Sequence, residues 1–238
     1  MRAKEFLSRK GIDYEHVDVL NDAGGRERLL KLGVRNVPVV SKGEQFVFGQ
    51  NLEDVAEFVG LQGTGHKPLP PDELMRKWTH VLRVAQGLIR QIPDDKINER
   101  VIPNRERPIR LLAHHVFRIG EAFLETATQG VNYAIQHANV PPQEGTNTTG
   151  AEIARYGDEV IARLETWWGE LADKSCTQKL PTFYGPQPMH QLLERSTWHS
   201  AQHVRQFAAL LERYGIEPGR RLTPQELSGL PLPERLFE

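Results

Sequence analysis

From residue 72 onward, apolar residues recur at spacings of three and four. Leu74, Met75, Trp78, Val81, Leu82, Ala85, Leu88 and Ile89 predict a helix with one broad apolar face, and Asp72 is placed to cap its start. A second helix is expected from about Pro108 through LLAHHVFRIGEAFLETA, since proline suits a first helical turn. AEIARYGDEVIARLETWWGEL gives a third helix, and the stretch from about Met189 to Tyr214 a fourth. The connections between them are long. Residues 130–150 are polar with Pro141 and Pro142, and DKSCTQKLPTFYGPQP carries no period. In a four-helix bundle such lengths permit crossovers rather than simple hairpins. The tail after Gly215 should wrap the bundle surface.

The first sixty residues read differently. A short basic helix precedes IDYEHVDVL, then come the charged helix RERLLKLG, the apolar runs NVPVV and EQFVFG, and the helix LEDVAEFVG. This is an α/β unit of short elements. Gly11, Gly33 and Gly60 each follow an apolar-periodic run, where positive φ would end a helix. LQGTGHKPLPP, with Gly and Pro but no period, reads as a linker. The expectation is an α+β two-domain chain: an α/β domain over 1–62, a linker over 63–71, a helical bundle over 72–215 and a tail over 216–238.

Composition narrows the possible functions. Thirty Lys and Arg against 31 Asp and Glu leave a formal charge of -1, which gives no electrostatic reason to expect nucleic acid or an acidic membrane as partner. Small ligands are the expected partners. No apolar run reaches the length of a membrane span, and MRAKEFLSRKG is charged rather than signal-like, so a cytoplasmic location is expected. Cys176 is the single cysteine, which excludes an internal disulfide and a Cys-rich zinc site. A metal site in this chain must use His and carboxylates.

WHSAQHVRQF in the fourth helix sets His199 and His203 four residues apart, one above the other on a single face. That face also carries Leu192, Ser196, Phe207 and Leu210, so it should point into the bundle. The second helix offers His114 and His115. His115 shares its face with Leu111, Leu112, Ile119 and Ala122 and is assigned inward. His114 shares its face with Arg110, Arg118 and Glu121 and is assigned to solvent. Paired histidines on a helix are common without a metal; here the pair faces inward and a third His faces it. Three neutral imidazoles would leave a position open for water or substrate. Zinc is the default ion for them, with nickel, cobalt or iron acceptable to the same ligands.

RLLAHHVFRIGEAFL and HQLLERSTWHSAQHVRQFAALLERYG give the stretch 72–215 a resemblance to the DinB-like family of metal-binding four-helix bundles. The Leu-Leu run, two His four apart, a Gln three residues later and a terminal Gly stand in that family's order. The resemblance implies a three-His divalent metal site on His115, His199 and His203. It implies less about chemistry, since the family includes thiol transferases and thiol-dependent isomerases. Two positions depart from its pattern: Gln202 where a His is frequent, and Arg205 where a Gly is frequent. Neither is a ligand position, and Arg205 is expected to alter the approach to the pocket.

RAKEFLSRKGIDYEHVDVL, LGVRNVPVV and FGQNLEDVAEFVGL make residues 2–61 similar to glutaredoxin, a thioredoxin-like fold. The resemblance implies a cis peptide at Val37-Pro38 and glutathione contacts at Val37, Pro38, Gln50 and Asn51. The family's Cys-x-x-Cys motif would lie immediately upstream of Met1. Either the natural chain begins some strand and motif earlier, or the domain is a binding module without redox activity.

Trp167, Trp168 and Trp198 read as core aromatics at helical spacing. Cys176 lacks a visible activating base and reads as inert. His16, His66, His80, His137 and His190 have no partner at ligand spacing and are assigned to the surface. The leading functional expectation is a metal-dependent S-transferase joining glutathione or another low-molecular-weight thiol to an electrophile. The alternatives are metal-assisted hydrolysis or isomerisation, and a non-catalytic metal- or thiol-sensing module, including a homodimeric scaffold.

Overall fold

Gly11, Gly33 and Gly60 adopt φ of 67°, 73° and 81°, a region that ends helices cheaply only where a residue lacks Cβ. In the computed structural model, which describes residues 2–19, 21–100 and 107–237, these turns belong to the first of two units, Met1–His66 and Lys67–Glu238.

In the first unit, helices α1 (Arg2–Arg9) and α2 (Ala23–Lys31) precede an antiparallel hairpin of β1 (Val39–Lys42) and β2 (Gln45–Phe48), and α3 (Leu52–Phe58) follows. Val39 pairs with Phe48 and Lys42 with Gln45. Phe6, Leu7, Val55 and Ala56 are buried together, with Val40 and Val47 packed against them, so one small core joins α1 and α3 to one face of the hairpin. Asp22 and Asn51 accept the N–H of Gly24 and Glu53 and cap α2 and α3. The Val37-Pro38 bond is cis. The strand expected from IDYEHVDVL is not formed among the described residues. A strand persists only where a neighbour completes its hydrogen-bond ladder. Here Asp13, Tyr14, Glu15 and His16 are exposed, and Val17 is turned against Gly25, in space that a Cβ there would fill.

The second unit contains α4 (Pro71–Arg90), α5 (Ile109–Gln129), the one-turn α6 (Ile135–Ala138), α7 (Gly150–Glu170), two-residue strands β3 (Lys179–Leu180) and β4 (Gln187–Pro188), α8 (Met189–Arg213) and the one-turn α9 (Pro224–Leu227). The cap of α4 is Pro70, not Asp72. Pro71 needs no hydrogen bond for its missing N–H in the first turn, so the helix starts earlier and Asp72 and Glu73 fall where negative charge opposes the helix dipole. α4 packs mainly on α7 and α8, and α5 on the same two helices. Successive helices α4 and α5 therefore stand across the bundle from each other, as the long connections allowed.

Small residues set the helix spacing. A Cβ at Gly157 of α7 would meet Phe117 at 2.6 Å, and one at Gly120 of α5 would meet Val160 at 2.9 Å. Trp78, fully buried, donates from Nε1 to Ser200 Oγ at 3.0 Å, which ties α4 to α8 one residue beyond His199. Trp167, Trp168 and Trp198 are half-buried and packed against this core.

The tail follows two helices. Thr223 and Glu226 form a capping box on α9, and Lys77 Nζ donates to the carbonyls of Gln225 and Glu226. Further on, Gln202, Arg205 and Gln206 of α8 donate to the carbonyls of Pro233, Arg235 and Leu236. Among the described residues, no helix is long and apolar enough to cross a membrane.

Candidate metal centre

α8 presents His199 and His203 on the face that buries Leu192, Ser196, Phe207 and Leu210, and α5 presents His115 beside buried Leu112, Ile119 and Ala122. The rings of His115 lie 5.3 Å from those of both His199 and His203, which are 4.8 Å apart. One nitrogen of each can be chosen so that all three lie within 4.8 Å of one another. Bonds of about 2.0–2.1 Å in a tetrahedral zinc site put ligand nitrogens roughly 3.3 Å apart, so closure by about 1.5 Å, within the range of small ring rotations, brings the set into coordination geometry. The cluster fits a divalent ion. His115 and His203 are buried and His199 is half-buried, so His199 is the most accessible of the three.

Two hydrogen bonds decide which nitrogens face an ion. His115 Nδ1 is 2.8 Å from the carbonyl of Ala138; a carbonyl only accepts, so Nδ1 carries the proton and Nε2 is left for a ligand bond. His203 Nδ1 is 2.8 Å from Gln206 Oε1. Gln206 Nε2 donates to the carbonyl of Leu236 at 2.8 Å, which fixes the amide orientation and again assigns the proton to Nδ1. Such outer contacts hold ring orientation and raise ligand basicity. Burial holds His115 and His199 well below the usual histidine range, with further lowering by His203 and Arg107 for the first, and by His203, His115 and Arg195 for the second. Neutral imidazole is the form that ligates.

His114 is not at the surface. It is 6% exposed, stacks on Tyr156 at 4.8 Å and 18°, and pairs through Nδ1 with Asn147 Nδ2 at 3.1 Å. Burial pushes it down to about 4. The polar face of α5 is covered by α7 and the connection before it. Arg118, also buried, is bound by Glu121 and Glu125, and Tyr156 donates to Glu121 at 2.7 Å.

Three other histidines assigned to the surface are half-buried with specific partners: His80 with Glu226, His137 with Glu125, and His190 with the Leu69 carbonyl. His66 is half-buried and His16 exposed. Cys176 is buried, and its thiol is pushed up to about 11 by that burial and by Asp173.

In the first unit the structure brings Val37, Pro38 and Gln50 together: Gln50 Nε2 donates to the Val37 carbonyl at 3.1 Å, and Gly49 N–H to that of Pro38 at 2.9 Å. Asn51 caps α3 and donates to Asp54. Among the described residues, buried Gln50 Oε1 has no partner. Sequence reasoning missed the Ala138 carbonyl, because a backbone group has no residue signature. Asn139, which bonds the Ile135 carbonyl and receives Arg107, was the signal that a turn ends there.

The glutaredoxin family model matches residues 1–47. A crystal structure of a DinB-like protein from Bacillus cereus is similar, with 19% identity and a TM-score of 0.50, over 63% of this chain and 95% of that one. No curated protein matched. The chain thus joins a glutaredoxin-like segment to a helical bundle with the fold of a DinB-like protein, and that bundle carries a three-His cluster able to hold a metal.

Proposed function

We propose that this protein is a metal-dependent thiol S-transferase, with His115, His199 and His203 as ligands to a divalent ion, zinc by default, and glutathione or another low-molecular-weight thiol as co-substrate. The observation that carries the reading is that the cluster holds three imidazoles and, among the described residues, no fourth His, Cys, Asp or Glu, since a closed structural site would need a fourth protein ligand. A metal held there lowers the pKa of an approaching thiol and keeps it as thiolate, the nucleophilic form. The chain's own part is to hold three imidazoles neutral and two of them oriented, through Ala138 and Gln206. The thiol loses its proton to solvent, its sulfur forms a bond to the electrophilic carbon, and the leaving group departs with its electron pair. Val37, Pro38, Gln50 and Asn51 are the proposed thiol-recognising residues of the first unit; the case for a shared thiol rests on analogy between folds.

The test is turnover of glutathione with 1-chloro-2,4-dinitrobenzene by the full chain, with and without zinc, in the wild type and His203→Ala. Zinc-dependent conjugation lost in the variant supports the reading. A zinc-loaded protein inert with a panel of thiols and electrophiles refutes it in favour of a binding or sensing role.

A further inference from the structure

The three imidazoles bring no negative charge to the site, and among the described residues the guanidinium of nearby Arg195 has no acidic partner. Arg195 stands four residues before His199 on α8, one turn away on the same face, about 6 Å along the axis. Its guanidinium carbon lies 5.3 Å from the ring centre of Tyr133 and 5.9 Å from that of Tyr184, so two aromatic rings hold it in place. Arg195, Tyr184 and His199 are all half-buried. Yet Nη1 of Arg195 is buried without a hydrogen-bond partner, and among the described residues the guanidinium forms no ion pair. The contrast is Arg118, buried on the neighbouring α5, which both Glu121 and Glu125 bind. An unmet, positioned guanidinium donor is costly to bury, and its planar fork matches a carboxylate.

The geometry points to Arg195 as the recognition group for a carboxylate on the ligand that enters from the His199 side, so that the thiol substrate is an acid bearing its negative charge one helical turn from the sulfur. The inference rests on the thiol reading of the site. The charge balance supports it: the cluster is three imidazoles with no carboxylate or thiolate among them, and Arg195 adds a cation, so a ligand that is anionic at both ends complements what the chain supplies.

The test is calorimetric titration of the zinc-loaded full chain, as wild type, Arg195→Lys and Arg195→Met, with three probes: 3-mercaptopropionate, its neutral methyl ester, and 3-(methylthio)propionate, which has the acid and no thiol. The wild type should prefer the mercapto acid to its ester by about tenfold to a hundredfold, the range of a charge-assisted hydrogen bond. The preference should vanish in Arg195→Met, with the ester binding as before, and survive in part in Arg195→Lys, which keeps the charge without the fork. Equal binding of acid and ester by the wild type, or a preference that persists in Arg195→Met, overturns the inference. Failure of the thiol reading gives a different result, in which the ester does not bind and the thioether acid binds as well as the mercapto acid. In that case loss of the thioether acid in Arg195→Met still supports Arg195, and its equal binding by both proteins overturns it, as does failure of all three probes to bind the wild type.

Discussion

Gln206 is 8% exposed and makes two contacts that one substitution removes together: it accepts from His203 Nδ1 and donates to the Leu236 carbonyl, each at 2.8 Å. Gln206→Leu keeps the volume, so the expected losses are polar. Each net hydrogen bond is worth about 0.5–1.5 kcal/mol, which lowers the stability of the metal-free bundle by about 1–3 kcal/mol. The effect on metal is separable. Removing the group that orients a ligating imidazole typically costs about 10–100-fold in affinity, or about 1.4–2.7 kcal/mol. Gln202→Ala is the control. Gln202 donates to the carbonyls of Arg235 and Leu236 and accepts from Arg205, so its loss frees the same tail without touching His203. Competition against a chromophoric zinc chelator at pH 7.5 gives the affinities, and urea denaturation of the metal-free proteins gives the stabilities. The expected pattern is weaker zinc binding in Gln206→Leu and unchanged binding in Gln202→Ala, with both destabilised. Zinc binding by Gln206→Leu as tight as wild type, or equal weakening in both variants, refutes the orienting role.

Three further outcomes are expected. Burial holds His114 at about 4 against an ordinary 6.5; the unfolded chain then takes up a proton that the folded one refuses, so stability is full above about pH 6.5 and falls as pH drops toward 4, by about 2 kcal/mol from this residue between pH 7.5 and 5. His114→Asn should flatten the pH dependence of the urea midpoint, and an unchanged slope would refute the assignment. On α7, Gly157→Ala drives a methyl to 2.6 Å from Phe117, whereas Gly169→Ala meets nothing within 4 Å; overpacking of about 1–3 kcal/mol outweighs a helix-propensity gain of about 1 kcal/mol at the first site only, so urea denaturation should show destabilisation at 157 and stabilisation at 169. Cys176, 2% exposed with its thiol pushed up to about 11, should resist a chromogenic disulfide reagent at pH 8 until the chain is denatured, and rapid native labelling would show that the loop opens.

Periodicity located the four long helices because each buries a continuous stripe, and His115 was legible because Leu112, Ile119 and Ala122 share its stripe. The same reasoning misplaced His114, since a helix's own pattern reports nothing of the segment laid over its polar face, here Asn147 and the Tyr156 ring. IDYEHVDVL carried the alternation of a strand, but alternation describes a chain able to pair and not the presence of a partner. Gln202 and Arg205 stood out as departures from the DinB-like pattern, and the structure supplies a use for them: both bind the tail, through the carbonyls of Arg235, Leu236 and Pro233. Arg205 thus turns toward the tail, a role that no local pattern signals, because the acceptors are main-chain atoms about thirty residues away.

Ala138 illustrates how such atoms behave under selection. The oxygen that orients His115 belongs to the main chain, so no change of side chain at 138 deletes it, and the burial of the residue, 6% exposed, limits only the size of its replacement. The side chain that keeps the oxygen in place is next door, where Asn139 bonds back to Ile135 and receives Arg107. A saturation library selected for metal retention would therefore show tolerance of small residues at 138 and intolerance at 139. Its heat map would mark the position one residue away from the atom that orients His115, and a designer transplanting this site to another scaffold from such data alone would copy the brace and lose the contact.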